Sequence, residues 1–88
     1  MHIIKRKGHK EGFDERKLYG SVYAACTVAN MGERGCESVA NFVAKKVRGE
    51  LKGRKVVDSK IIARLVVKHL KKKNKDAAFM YKTHRDIS

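Results

Sequence analysis

The chain has 88 residues, 42% of them hydrophobic, and contains no proline. This length leaves room for one domain, expected to span residues 1–88, and the apolar share disfavours a disordered segment. Lys and Arg number 22 against 9 Asp and Glu, a formal net charge of +13. We therefore expect an anionic partner, and nucleic acid, nucleotide phosphates or an acidic membrane surface would each fit the charge.

Hydropathy and cysteine usage indicate the compartment. No stretch approaches the roughly 20 apolar residues that span a bilayer, and the N-terminus lacks the apolar region of a signal peptide. A soluble, cytoplasmic protein with no membrane partner is expected. Cys26 and Cys36 stand without the second cysteine pair or the histidines of a zinc site, so we expect no metal site and a buried, reduced thiol at Cys26.

The predicted elements begin with two short strands, at 2–6 and 10–13, joined by a turn at Gly8. A two-stranded hairpin is marginal alone, so it must pack on helices. Asp14 is a good N-cap for a first helix that should stop near Asn30. A polar turn over 32–35 then precedes a second amphipathic helix that should end near 51–53.

The second half of the chain predicts a short extended piece and two further helices. Val56 and Val57 form the extended piece, and Asp58 or Ser59 caps a third helix with an apolar stripe from Ile62 to Leu70. Asp76 can cap the last helix. The predicted fold class is thus α+β, mainly α, with a small N-terminal β-hairpin and a possible third strand packed on a four-helix unit.

Catalytic patterns are absent from the sequence. The four histidines are scattered, no nucleophile elbow occurs, and the glycine loops of Walker and Rossmann sites are missing. We therefore predict no catalytic residues and no redox cofactor, and we do not expect an enzyme.

Basic residues instead cluster between Lys5 and Lys17, at the end of the first strand and in the first helical turn. Arg16 and Lys17 oppose the helix dipole there at a cost of a few tenths to about 1 kcal/mol, which a bound anion would reverse. Backbone amides at a helix start also suit phosphate. Charge placement alone leaves open whether Lys5, Arg6 and Lys17 bind an anion or are ordinary exposed cations.

This segment resembles the opening motif of the ATP-cone domain, a regulatory module of ribonucleotide reductases and of the repressor of their genes. The family pattern, apolar-x-Lys-Arg-x-Gly followed by Phe-Asp-x-x-Lys-Ile/Leu, is matched by Ile3, Lys5, Arg6, Gly8, Phe13, Asp14, Lys17 and Leu18. The third-helix entry at 57–66 and the closing segment at 78–85 are similar to the family as well, whereas residues 27–56 share only the hydrophobic pattern.

The resemblance implies a non-catalytic nucleotide-binding regulatory module. Its ligand would be ATP or dATP, bound between hairpin and helices with or without Mg²⁺. The implied nucleotide-binding residues are Lys5, Arg6, Glu11, Lys17, Ser59, Thr83 and Arg85. Asp14 also matches a polar family position, but its role as an N-cap is favoured. Phe79 and Tyr81 could stack on a base, although helical spacing favours the core for both.

The partner and the output stay open at this stage. The sequence carries neither a reductase barrel nor a four-cysteine zinc ribbon, so a cone here would act on an unidentified regulated protein or through self-association. It could also be part of a longer protein or have lost its ligand. The alternative function is that of a small basic nucleic-acid-binding protein, using Lys45, Lys46, Arg48, Lys68 and the segment 71–75 on backbone phosphates.

Overall fold

The fold is described by a computed structural model covering residues 1–4 and 10–87, apart from the side chains of residues 10, 11 and 84–87. Three short strands and four helices follow one another along this part of the chain. The strands are β1 (His2–Ile4), β2 (Lys10–Gly12) and β3 (Val56–Asp58). The helices are α1 (Glu15–Val28), α2 (Glu33–Leu51), α3 (Ser59–Lys73) and α4 (Lys75–Ile87).

The sheet has the strand order β2-β1-β3, so the N-terminal strand lies in the middle. β1 pairs antiparallel with β2 and parallel with β3, because two helices carry the chain across to the third strand. Val57 is buried and Ile3, its partner in β1, packs against the helical core. The predicted pairing of the two N-terminal strands and the predicted third strand are confirmed, although β2 ends at Gly12 rather than at the predicted residue 13. The predicted turn at Gly8 and the predicted end of the first strand, residues 5 and 6, lie outside the described residues.

The four helices pack in a ring, in which each contacts its neighbour in the chain and α4 returns to contact α1. Their apolar stripes meet in one core whose largest fully buried side chains include Val22, Val43, Val66 and Leu70. The α1 end is confirmed near Asn30, which adopts a left-handed φ of 63°. The structure is thus mainly helical with a small sheet, as the hydrophobic periodicity indicated.

Two helix starts differ from the sequence prediction. α2 begins at Glu33, inside the predicted polar turn over 32–35, because extended Gly32 serves as the N-cap and Glu33 supplies an acidic first turn. α4 begins at Lys75, because the side chain of Asn74 accepts a hydrogen bond of 2.9 Å from the Ala77 amide. Asn74, and not Asp76, is therefore the capping residue of α4.

Candidate functional site

The end of β1 lies beside the start of α3. In the parallel ladder Ile4 pairs with Asp58, the residue that caps α3. The Asp58 carboxylate accepts a hydrogen bond of 2.8 Å from the Lys60 amide, which fixes where the helix begins. Lys5 and Arg6 follow Ile4 directly in the sequence, and both lie outside the described residues.

The first turn of α1 starts from the other end of the sheet. β2 runs antiparallel to β1, so Gly12 pairs with His2, roughly 7 Å along the strand from Ile4. Asp14 caps α1 by accepting a hydrogen bond of 2.9 Å from the Arg16 amide, as predicted. That backbone hydrogen bond is the main reason why the pKa of the Asp14 carboxyl is lowered. Arg16 and Lys17 are both exposed next to it.

The other predicted site residues lie on three separate elements. Ser59 is the first residue of α3 and is half-buried. Thr83 lies on α4, where its hydroxyl donates to the Phe79 carbonyl at 2.9 Å. Glu11 pairs with Ile3 through the backbone of β2, and Arg85 belongs to the last turns of α4, but their side chains lie outside the described residues.

The structure thus brings one pair of predicted elements together directly. Ser59 follows the residue that pairs with the end of β1, so the strand that leads into Lys5 and Arg6 ends beside the start of α3. Lys17 lies in the first turn of α1, which begins at the opposite end of the sheet and contacts α2 and α4. A ligand that touched all of these residues would have to extend across the sheet ends and the helix starts.

The two aromatic residues of α4 behave differently. Tyr81 is buried in the core, as predicted. Phe79 was also predicted to be a core residue, but it is 64% exposed, so that prediction is wrong. The reason is the position of α4 in the ring, because its apolar stripe is taken up by Ala77, Ala78 and Tyr81, and Phe79 falls on the opposite side.

A polar cluster between α2 and α3 was not found by sequence reasoning. His69 is 5% exposed, and its Nε2 makes a short hydrogen bond to Glu50, which also accepts a hydrogen bond of 3.2 Å from Lys68. The His69 contact is the main cause of the lowered pKa of the Glu50 carboxyl. The His69 Nδ1 atom is buried without a hydrogen-bond partner among the described residues. The sequence showed His69 only as part of an apolar stripe.

The buried thiols are as expected for Cys26. Both cysteines are free and buried, and burial raises the pKa of the Cys26 thiol to about 11. A thiol with that pKa is almost entirely protonated at neutral pH and is a poor nucleophile. The Cys36 thiol donates to the Met31 carbonyl at 3.4 Å, which ties the α1–α2 turn to the core.

The described part of the chain contains neither a metal-binding cluster nor a membrane-spanning helix. Within residues 1–4 and 10–87, no cluster of His, Cys, Asp and Glu side chains has the arrangement of a metal site. None of the helices described here is both long enough and apolar enough to cross a membrane.

Comparison with known proteins identifies the family. The model of the ATP cone domain matches residues 1–87. The transcriptional repressor NrdR of Chlamydia muridarum is 30% identical over 91 residues, which cover 99% of this chain and 59% of the repressor. The repressors of the same name from Chlamydia felis and Chlamydia trachomatis serovar D are 30% and 29% identical over the same length.

The match reaches from the first strand to the last helix, and the chain spans about three fifths of the length of these curated relatives. The expected resemblance is confirmed by the family model, which covers all four helices and the three strands. The chain belongs to the ATP-cone family.

Proposed function

We propose that this protein is a non-catalytic regulatory module that binds ATP or dATP between its small sheet and its helices. The observation that carries the proposal is the pairing of Ile4 with Asp58, because it places the end of β1, which Lys5 and Arg6 follow in the sequence, beside the N-terminus of α3. Membership of the ATP-cone family supports an adenine nucleotide as the ligand.

Lys5, Arg6 and Lys17 would bind the phosphates. Arg6 offers a bidentate fork, and the two lysines offer mobile point charges. Lys17 is exposed in the first turn of α1, where a bound anion would relieve its unfavourable interaction with the helix dipole. A Mg²⁺ ion bound to the phosphates would, together with these cations, neutralise their negative charge.

The remaining predicted residues would contact other parts of the nucleotide. Ser59, Thr83 and Arg85 would approach from the helices, and Glu11 would approach the ribose or the base from β2. The Thr83 hydroxyl already donates to a backbone carbonyl, so it would serve the ligand as an acceptor. Asp14 keeps its role as the cap of α1.

The output of the module would be regulation of a partner or of self-association. The relatives are transcriptional repressors, which supports a regulatory role and no catalysis, and repression itself would depend on the full length of such a protein. Regulation requires that the nucleotide bind two states of the protein with unequal affinity. Two oligomeric states of different mass would be the simplest such pair.

The test combines calorimetry with light scattering on the 88-residue chain in about 0.15 M salt, where attraction between exposed charges is substantially screened. We expect saturable binding of ATP or dATP, and a change in mass that differs between the two nucleotides. Inorganic tripolyphosphate is the control for simple anion binding. Equal affinity for tripolyphosphate would contradict a nucleotide site, and an unchanged mass at saturation would contradict regulation by self-association.

A further inference from the structure

The positive charge of this protein is concentrated in one part of the fold. Residues 45–75 contain thirteen Lys and Arg against two Asp and Glu, a net charge of +11. The rest of the chain contains nine against seven, a net charge of +2. All thirteen cations are exposed, and they come from the second half of α2, the turn between α2 and β3, α3 and the start of α4. Almost the whole formal charge therefore lies outside the proposed nucleotide site.

The solvent side of α3 is almost purely cationic. Helix α3 lies wholly within the described residues, and six of its seven exposed positions are Lys or Arg; the seventh is Ile61. We call these six residues the α3 basic face: Lys60, Arg64, Lys68, Lys71, Lys72 and Lys73. Exposed helix faces usually mix both signs, and like charges four residues apart each cost about 0.2–0.5 kcal/mol. The dipole explains the last three lysines and not the others.

The two acidic side chains of this region are already occupied. Asp58 caps α3, and Glu50 accepts hydrogen bonds from His69 and Lys68. Within the described part of the chain, Lys68 is thus the one member of the face with an acidic partner. No acidic side chain that the structure describes pairs with the other cations of the face, so these cations are available to an anion from outside the protein.

The face continues onto α2 through an aromatic contact. The ammonium of Lys73 lies 4.3 Å from the centre of the Phe42 ring, and the ammonium of Lys46 lies 5.7 Å from the same ring. Each cation–π contact contributes about 0.5–1 kcal/mol at an exposed site, which helps to hold two like charges close together. His69 packs edge-on against Phe42 and so helps to fix the position of the ring.

We propose that the α3 basic face, together with Lys46, binds the phosphate backbone of a nucleic acid without reading its sequence. Lys60, Arg64, Lys68 and Lys72 recur every four residues, which spaces them about 6 Å apart along some 18 Å of helix. A row of that length suits a chain of phosphates and is longer than the triphosphate group of one nucleotide. The composition of the row also favours nucleic acid over an acidic protein.

The composition of the face supports this choice of partner. Protein interfaces are anchored by buried aromatic and apolar side chains, and the only exposed apolar residue on α3 is Ile61, at its N-terminal end. The face also lacks Asn, Gln, Ser and Thr, the side chains that read base edges together with Arg. A surface made of cations alone gives affinity through counterion release and gives little sequence preference.

The experiment measures fluorescence anisotropy of a labelled 24-base-pair duplex of arbitrary sequence with the 88-residue chain, from 50 to 200 mM KCl. The double variant Arg64→Gln/Lys72→Gln should bind roughly tenfold or more weakly at 0.1 M salt, with a slope of log K against log salt that is shallower by about 2. The matched control Arg34→Gln/Lys82→Gln removes the same charge elsewhere and should change the slope by less than about 0.5.

Three outcomes would overturn the proposal. Equal losses in the two double variants, both shown to be folded by circular dichroism, would mean that net charge acts without a defined surface. A more than tenfold preference for one of two unrelated duplexes would contradict backbone recognition. Displacement by poly-glutamate as effective as that by unlabelled duplex, at equal charge concentration, would point to an acidic protein instead.

Discussion

Replacing Leu70 by alanine is expected to lower the free energy of unfolding by about 3 kcal/mol, the typical cost of a large cavity in a core. Leu70 is fully buried and is among the largest fully buried side chains of the protein. Leucine and alanine are both good helix formers, so the cost comes from lost packing rather than from helix propensity. A domain of this size has only about 5–15 kcal/mol of total stability, so the change should be large.

Urea unfolding followed by circular dichroism measures this effect, and the melting temperature should fall by about 15 °C. Phe79→Ala is the matched control, because it also truncates a large apolar side chain of a helix, but one that is 64% exposed. We expect that control to change stability by less than about 0.5 kcal/mol. A cost for Phe79→Ala equal to that of Leu70→Ala would contradict the position of α4 in the helix ring.

The double variant Lys5→Ala/Arg6→Ala is expected to lose ATP affinity by about 100-fold or more. Each charge-assisted hydrogen bond to a phosphate contributes about 1.5–3 kcal/mol, and two are removed. Calorimetry on the wild type and the variant measures the loss. The stability of the unliganded protein should change little, because the proposed role of both residues is to bind the ligand.

The control for this experiment is Arg34→Ala/Lys45→Ala, which removes the same two residue types from exposed positions on α2. It lowers the net charge equally and should weaken ATP binding by less than about threefold in 0.15 M salt, where distant exposed charges are screened. Similar losses in both double variants would mean that ATP senses the net charge of the protein and not a site at the N-terminal segment.

Local signals were enough to predict most of the fold. Periodic apolar residues gave the helices, and capping side chains located two helix starts, at Asp14 and Asp58, because these signals act within a few residues. The cap of α4 was predicted at Asp76, two residues after the observed cap Asn74. Both are good capping residues, and only the geometry of the α3–α4 turn decides between them. Phe79 was misplaced for a similar reason, because the burial of one helix face depends on its neighbours.

Contacts between distant parts of the chain could not be predicted. The pairing of Ile4 with Asp58 joins residues 54 positions apart, and the contacts of Glu50 with Lys68 and His69 depend on how α2 and α3 pack. The family motif predicts a set of nucleotide-binding residues, which stays a prediction, but it does not indicate that α1 and α3 begin from opposite ends of the sheet. The sequence already indicated Lys46, Lys68 and the segment 71–75 as cations for backbone phosphates, but Lys60 and Arg64 could be added only once burial separated the exposed residues of α3 from the core.

The central claim is tested most directly by titrating the isotopically labelled protein with ATP in about 0.15 M salt while every amide is followed by NMR. We expect saturable shifts around Lys5, Arg6 and Lys17 and at Ser59 and Arg85, with the amides of Arg64, Lys68 and Lys71 to Lys73 on the α3 basic face largely unmoved. Absent shifts, or weak and unsaturable shifts spread over all basic residues, would contradict a nucleotide site between the sheet and the helices.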